Sequence, residues 1–186
     1  MEADKPVGKL VILGLGLIGG SLAVALRARG QVSSVTAWGR REGSLARGRE
    51  LGYIDDYSLD LAEALQGADI AVLATPTLVC EKVLSQLPGK LGPDTILTDV
   101  ASVKGSLLRA ARRVWKTEPA NLVLAHPIAG SEQSGVEAAD PDLFVRHRVI
   151  LTPTEATDAS ACNRISAMWQ AVGAEVVTMS VERHDR

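Results

Sequence analysis

Aromatic residues are scarce in this chain: one Phe, two Tyr and three Trp make up 3% of its 186 residues. A core of this size must therefore be built from Leu, Val, Ile and Ala. That suits a parallel sheet buried on both faces by helices. Cysteine is nearly absent. Cys80 and Cys162 lie far apart, which argues against a disulfide framework and for free thiols in a reducing cytoplasm. No apolar run approaches the roughly 20 residues of a membrane span, and Met-Glu-Ala-Asp-Lys at the N-terminus does not resemble a signal peptide. With a formal net charge of −2 and no Lys/Arg run, nothing points to nucleic acid. H-x-x-x-H and C-x-x-C spacings are missing, so no metal is expected. There is no internal repeat and no linker-like shift in composition, so residues 1–186 read as one domain.

The N-terminal thirty residues carry the strongest local signal. Residues 9–13 form a short apolar run of strand type. Gly14, Gly16 and Gly19 then give G-x-G-x-x-G, and Leu17 and Ile18 open a stretch with apolar residues at helical spacing. Strand, glycine turn and helix occur in the order of a dinucleotide-binding unit. Gly14 allows the tight turn, Gly16 lets the backbone approach a pyrophosphate, and Gly19 lets helix and strand pack closely. The free N–H groups at the helix start would hold the phosphates. The alternative is a tight strand-to-helix connection without a ligand.

Residues 35–38 read as the second strand, followed by Gly39-Arg40-Arg41. In NAD-binding units an acidic residue near this point, about 20 residues beyond the glycines, bonds the ribose 2′-hydroxyl. Here the place falls on Gly39, and Glu42 comes late. Two guanidiniums in place of a carboxylate favour a 2′-phosphate, hence NADP over NAD. Arg40 and Arg41 could equally be solvated, or stack on the adenine of either cofactor. Further strands are expected at 69–74, 95–100, 122–125, 149–151 and 175–179. Helices are expected at 44–52, 59–66, 78–87, 104–115 and 159–171. Alternating strands and helices over the whole length predict an α/β, Rossmann-type doubly wound, mostly parallel sheet. Thr75-Pro76, ending the strand at 69–74, would then neighbour the cofactor, although a plain strand-to-helix turn explains them too.

Two segments at expected strand ends carry candidate chemistry: Asp99-x-x-Ser102-x-Lys104 and His126-Pro-Ile-Ala-Gly-Ser131-Glu132. His126, read as a loop residue, is the natural general base at neutral pH, with a reference pKa near 6.5. Ser102 could orient its imidazole, hydrogen-bond a nicotinamide amide, or simply cap the helix that follows. A structural role is the commoner fate of any one histidine. His147 looks solvated, His184 is close to the chain end, and Glu132 and Glu137 read as exposed loop carboxylates.

At these residues the chain resembles the prephenate/arogenate dehydrogenase family of tyrosine biosynthesis. The matching stretches are residues 14–21, 98–104 and 126–135 and the terminal Glu182-Arg-His-Asp-Arg186, in the family's order and spacing. The resemblance implies oxidative decarboxylation of prephenate or arogenate, with hydride passing to NADP or NAD. It implies His126 as the histidine that accepts the ring hydroxyl's proton, Ser102 as the serine supporting it and the nicotinamide, and Ser131 as a hydroxyl close to the substrate. Lys104 matches the family motif without an assignable role. In the family the final segment leads into an all-helical domain that forms the dimer, closes the site and supplies an arginine and another histidine. That domain is not in this sequence, so the chain reads as the cofactor-binding part, inactive alone. Two other readings remain: a dehydrogenase of the β-hydroxyacid or imine reductase type, and a non-catalytic nucleotide-sensing module.

Overall fold

The structure, a computed structural model, describes residues 6–186, and the N-terminal segment read above for a leader lies outside the described residues. Nine strands and seven helices follow one another: β1 (Val7–Leu13), α1 (Leu17–Ala28), β2 (Val32–Trp38), α2 (Glu42–Glu50), β3 (Asp56–Ser58), α3 (Leu61–Leu65), β4 (Ile70–Leu73), α4 (Thr77–Leu84), β5 (Ile96–Asp99), α5 (Gly105–Trp115), β6 (Leu122–Val123), β7 (Ala125–Pro127), β8 (Arg148–Leu151), α6 (Ala159–Ala171), β9 (Glu175–Thr178) and α7 (Val181–His184). Six strands form a fully parallel sheet in the order β3-β2-β1-β4-β5-β6. That is the doubly wound arrangement expected from the alternation of elements.

The strand period of two sorts the core into layers. Leu10 and Ile12 of β1 face one side, with Leu22 and Leu26 of α1 and Ile165, Met168 and Trp169 of α6. Val11 and Leu13 face the other, with Leu61 and Leu65 of α3, Val83 and Leu84 of α4, and Leu107 and Leu108 of α5. Nearly every one of these side chains is fully buried, each contributing about 1.5–3 kcal/mol relative to exposure. Phe144 against Trp169, edge to face with centroids 5.0 Å apart, uses the only phenylalanine in the chain.

The architecture departs from a single sheet in one place. Residues 122–125 do not form one strand. The chain leaves the parallel sheet after Val123, and β7 pairs antiparallel with β8 in a second sheet of order β7-β8-β9. The cause lies in the hydrogen bonding of Ala125. Its N–H donates to Asp99 Oδ1 at 2.9 Å and its carbonyl accepts from Lys104 Nζ at 2.6 Å. Neither group is left for a ladder with β5. Pro127, which has no N–H, ends the strand and restricts it to an edge. His126 therefore lies in a strand, opposite Ile150, and not at the tip of a loop.

Candidate active site

The strand order reverses between β1 and β4, and ligands of open α/β sheets bind outside the carboxyl ends of the strands at such a point. A cleft of about 870 Å³ opens there, within the usual range for ligand sites. Its lining includes Gly14, Gly16, Leu17, Ile18, Gly39, Arg40, Arg41, Thr75, Pro76 and Ser102, residues that the sequence singles out from four separate segments. Trp38, Ser44, Val79 and Val100 also line it. No motif marks these, because their place depends on how the strand ends converge.

Gly19 is absent from the lining because it sits behind it. A Cβ there would come within 2.7 Å of Ile12 Cγ2, so the missing side chain is what lets α1 lie against β1. Gly14 has φ +100°, and a Cβ would fall 2.9 Å from the Thr75 backbone. Gly16 differs: a Cβ there would meet nothing within 4 Å. It is the N-cap residue of α1 and supplies no side-chain cap. Helix starts normally satisfy their first N–H groups with Ser, Thr, Asp or Asn. This start is uncapped by side chains, opens onto the cleft, and carries the positive end of a 12-residue helix. A pyrophosphate fits this helix start in charge and in hydrogen-bonding type.

At the β2 end of the cleft, Glu42, the late acid, has its Oε1 engaged by the Tyr57 hydroxyl at 2.6 Å and is not part of the lining. Arg40 and Arg41 are exposed there. Among the described residues neither has a carboxylate partner within ion-pair distance.

His126 lies on β7 of the second sheet, half-buried, and is not part of the cleft lining. Its Nδ1 lies 2.9 Å from His184 Nε2, and His184 Nδ1 lies 2.7 Å from Asp185 Oδ1. The two rings meet edge to face. Burial pushes the His126 pKa below its usual 6.5, and His184 and Lys104 lower it further. One residue earlier, Asp99 and Lys104 form a buried ion pair that grips both polar groups of Ala125. Burial also lowers the Lys104 pKa, against the pull of Asp99.

Several site residues are placed differently from their sequence reading. Ser102 is exposed on the cleft wall and does not cap α5. Lys104 is the N-cap residue of α5, and the capping carboxylate comes from Asp185, which accepts from the N–H groups of Lys104 (3.2 Å) and Gly105 (2.7 Å). The ring partner of His126 is His184, and no hydrogen bond joins His126 to Ser102 among the described residues. Ser131 is exposed, and its hydroxyl accepts from the Gln133 N–H at 3.1 Å in a local turn. His184 and Asp185 are visible in the sequence only within the terminal family match, and their place beside His126 is not, because the ring contact spans 58 positions and leaves no local spacing signal. Among the described residues no three His, Cys, Asp or Glu side chains cluster as metal ligands, and no helix is long and apolar enough to cross a membrane.

A doubly wound parallel sheet with a glycine turn and an open helix start at its switch point defines a dinucleotide-binding domain of the Rossmann type. Comparison with known proteins narrows the class. Residues 22–178 match the model of the prephenate dehydrogenase nucleotide-binding domain, and the chain belongs to that family. It is 33% identical over 177 residues to a cyclohexadienyl dehydrogenase of Zymomonas mobilis, covering 95% of this chain and 59% of the relative. The crystal structure of Aquifex aeolicus prephenate dehydrogenase with hydroxyphenyl propionate and NAD+ superposes with a TM-score of 0.88 at 32% identity, covering 95% of this chain and 61% of that one. Synechocystis arogenate dehydrogenase gives a TM-score of 0.86 at 33% identity, with the same two coverages, 95% and 61%. The chain thus spans about three fifths of the length of these proteins.

Proposed function

We propose that this chain is the cofactor-binding domain of an NADP-dependent prephenate or arogenate dehydrogenase in which His126 is the general base. The observation that carries the reading is the cleft at the switch point of the sheet, whose glycine turn and helix start without a side-chain cap suit a dinucleotide and whose wall at Ser102 continues from β5, the strand against which β7 with His126 packs. The bound nicotinamide would supply the redox chemistry by accepting hydride from the ring carbon that bears the hydroxyl. The chain's own residues do the rest. Gly14, Gly16 and the start of α1 hold the pyrophosphate, Thr75 and Pro76 flank the cofactor, and Ser102 lies on the wall toward the nicotinamide end. His126 takes the hydroxyl proton through Nε2, the ring nitrogen not engaged with His184. Loss of the substrate carboxylate as CO2 completes the aromatic ring.

The relatives' additional length would supply a helical domain with the cation for the substrate carboxylates, the dimer contact and the cover that excludes water. Leu78 (98% exposed), Val103 (41%) and Ile128 (44%) support this. All three follow carboxyl ends of strands bordering the site, where such a cover would sit. The expected setting is the cytoplasm.

The NADP preference follows from the guanidiniums of Arg40 and Arg41, which have no carboxylate partner among the described residues, and from the engagement of Glu42 by Tyr57. Charge-assisted hydrogen bonds contribute about 1.5–3 kcal/mol each. In the complete enzyme, R40A/R41A therefore raises KM for NADP by about tenfold to a hundredfold and leaves KM for NAD little changed. Steady-state kinetics with each cofactor, on prephenate and on arogenate, reads this directly. Equal losses for both cofactors would mean the arginines stack on adenine, and turnover of neither substrate would remove the reading.

A further inference from the structure

Asp185, His184 and His126 form a continuous chain of hydrogen-bonding groups, with separations of 2.7 Å and 2.9 Å. The polarity of the chain is decided at one end. Asp185 is held as a carboxylate: burial alone would raise its pKa, but the His184 ring and the N–H groups of Gly105 and Lys104 outweigh that and lower it. A carboxylate can only accept, so His184 donates from Nδ1. A neutral imidazole carries one proton, which leaves His184 Nε2 as an acceptor. His126 must then donate from Nδ1, and its Nε2 keeps the lone pair.

We infer that His184 and Asp185 are positioning residues that fix His126 in the Nδ1–H tautomer and so present Nε2 as the free base. This rests on the reading of His126 as the base. The seat is built for the purpose. The His184 side chain is 5% exposed. A Cβ on Gly105 would come within 2.7 Å of Asp185 Oδ2, so the glycine leaves the carboxylate room in its present position. Asp185 also caps α5, which ties the tautomer to the helix that carries Lys104. The charged and titratable groups facing His126 are His184, Lys104 and Asp99, with Asp185 behind His184.

Nitrogen-15 histidine spectra of the chain above pH 7 test this without substrate or cofactor. Wild type should show His126 with a protonated, pyrrole-type Nδ1 and a bare, pyridine-type Nε2. D185N keeps an acceptor for the Gly105 N–H and turns an amide N–H toward His184. His184 should then carry its proton on Nε2, and His126 should invert to the Nε2–H tautomer. H184L should leave His126 a mixture of tautomers. H184Q, whose carbonyl can accept from Nδ1, should restore the wild-type pattern. In the complete enzyme kcat should fall about 10²-fold or more in D185N and H184L and recover in H184Q. An unchanged His126 tautomer in both D185N and H184L would overturn the inference. Inverted tautomers with unchanged kcat would instead remove His126 as the base.

Discussion

Replacing His126 with Ala in the complete enzyme lowers kcat by about 10²–10⁴, the usual contribution of a positioned general base. KM for either cofactor changes little, because His126 is not part of the cleft that holds the dinucleotide. The loss should be in the chemical step, so it should be equal in kcat and kcat/KM for the substrate. The pH profile carries the same information. A base must be neutral to act, and burial lowers the His126 pKa from its usual 6.5. Wild-type kcat/KM should therefore hold as pH falls to 6.5 and decline only below it, as His126 takes up a proton. H126A should lack that acid limb. An unchanged kcat in H126A, or an acid limb centred above 6.5 in wild type, would take His126 out of the mechanism.

The second large effect is on stability. Lys104 is fully buried, and its partner Asp99 is 1% exposed. Lys104→Met leaves the Asp99 carboxylate in the interior without its counter-charge. Removing one member of a buried pair costs about 3–5 kcal/mol, so K104M should lower the unfolding free energy by that amount, read as a lower urea midpoint with the slope unchanged. D99N/K104M removes both charges and should recover part of the loss, a non-additivity that marks direct coupling. The pair also holds Ala125 by both its polar groups, so K104M should loosen β7 and the His126 ring with it. Wild-type stability in K104M would contradict the account of how the chain switches sheets.

Much of this was legible from residue order. The glycine turn, the apolar strands and the helical periods predicted a doubly wound sheet because each is local: Val11 and Leu13, or Leu107 and Leu108, show their partners' faces by spacing alone. The prediction of one sheet failed at Leu124. Residues 122–125 are uniformly apolar, and nothing in them reports that a buried ion pair 21–26 positions upstream takes both polar groups of Ala125. The three-residue β3 has no apolar alternation to reveal it. The site divides in the same way. Gly14, Gly16, Gly19, Arg40 and Arg41 were visible as a motif and its expected companion. Ser102 and Ser131 have roles implied by resemblance alone; among the described residues the Ser102 hydroxyl has no bond to His126. His184 and Asp185, at the far end of the chain, were readable only as part of a family signature, because what they do depends on a contact that sequence spacing cannot show.

If the glycine turn and the α1 start hold a dinucleotide, the isolated chain should bind one. Calorimetric titration of the 186-residue chain with NADP and NAD, beside its Gly16→Val variant, tests it most directly. Binding should be saturable and one-to-one, tighter for NADP and lost in G16V, where two branched methyls fill the space now open at the helix start. The same preparation should show no prephenate or arogenate turnover at ordinary enzyme rates. No binding of either nucleotide, or binding that G16V leaves intact, would mean that the glycine turn and α1 start are not a dinucleotide site.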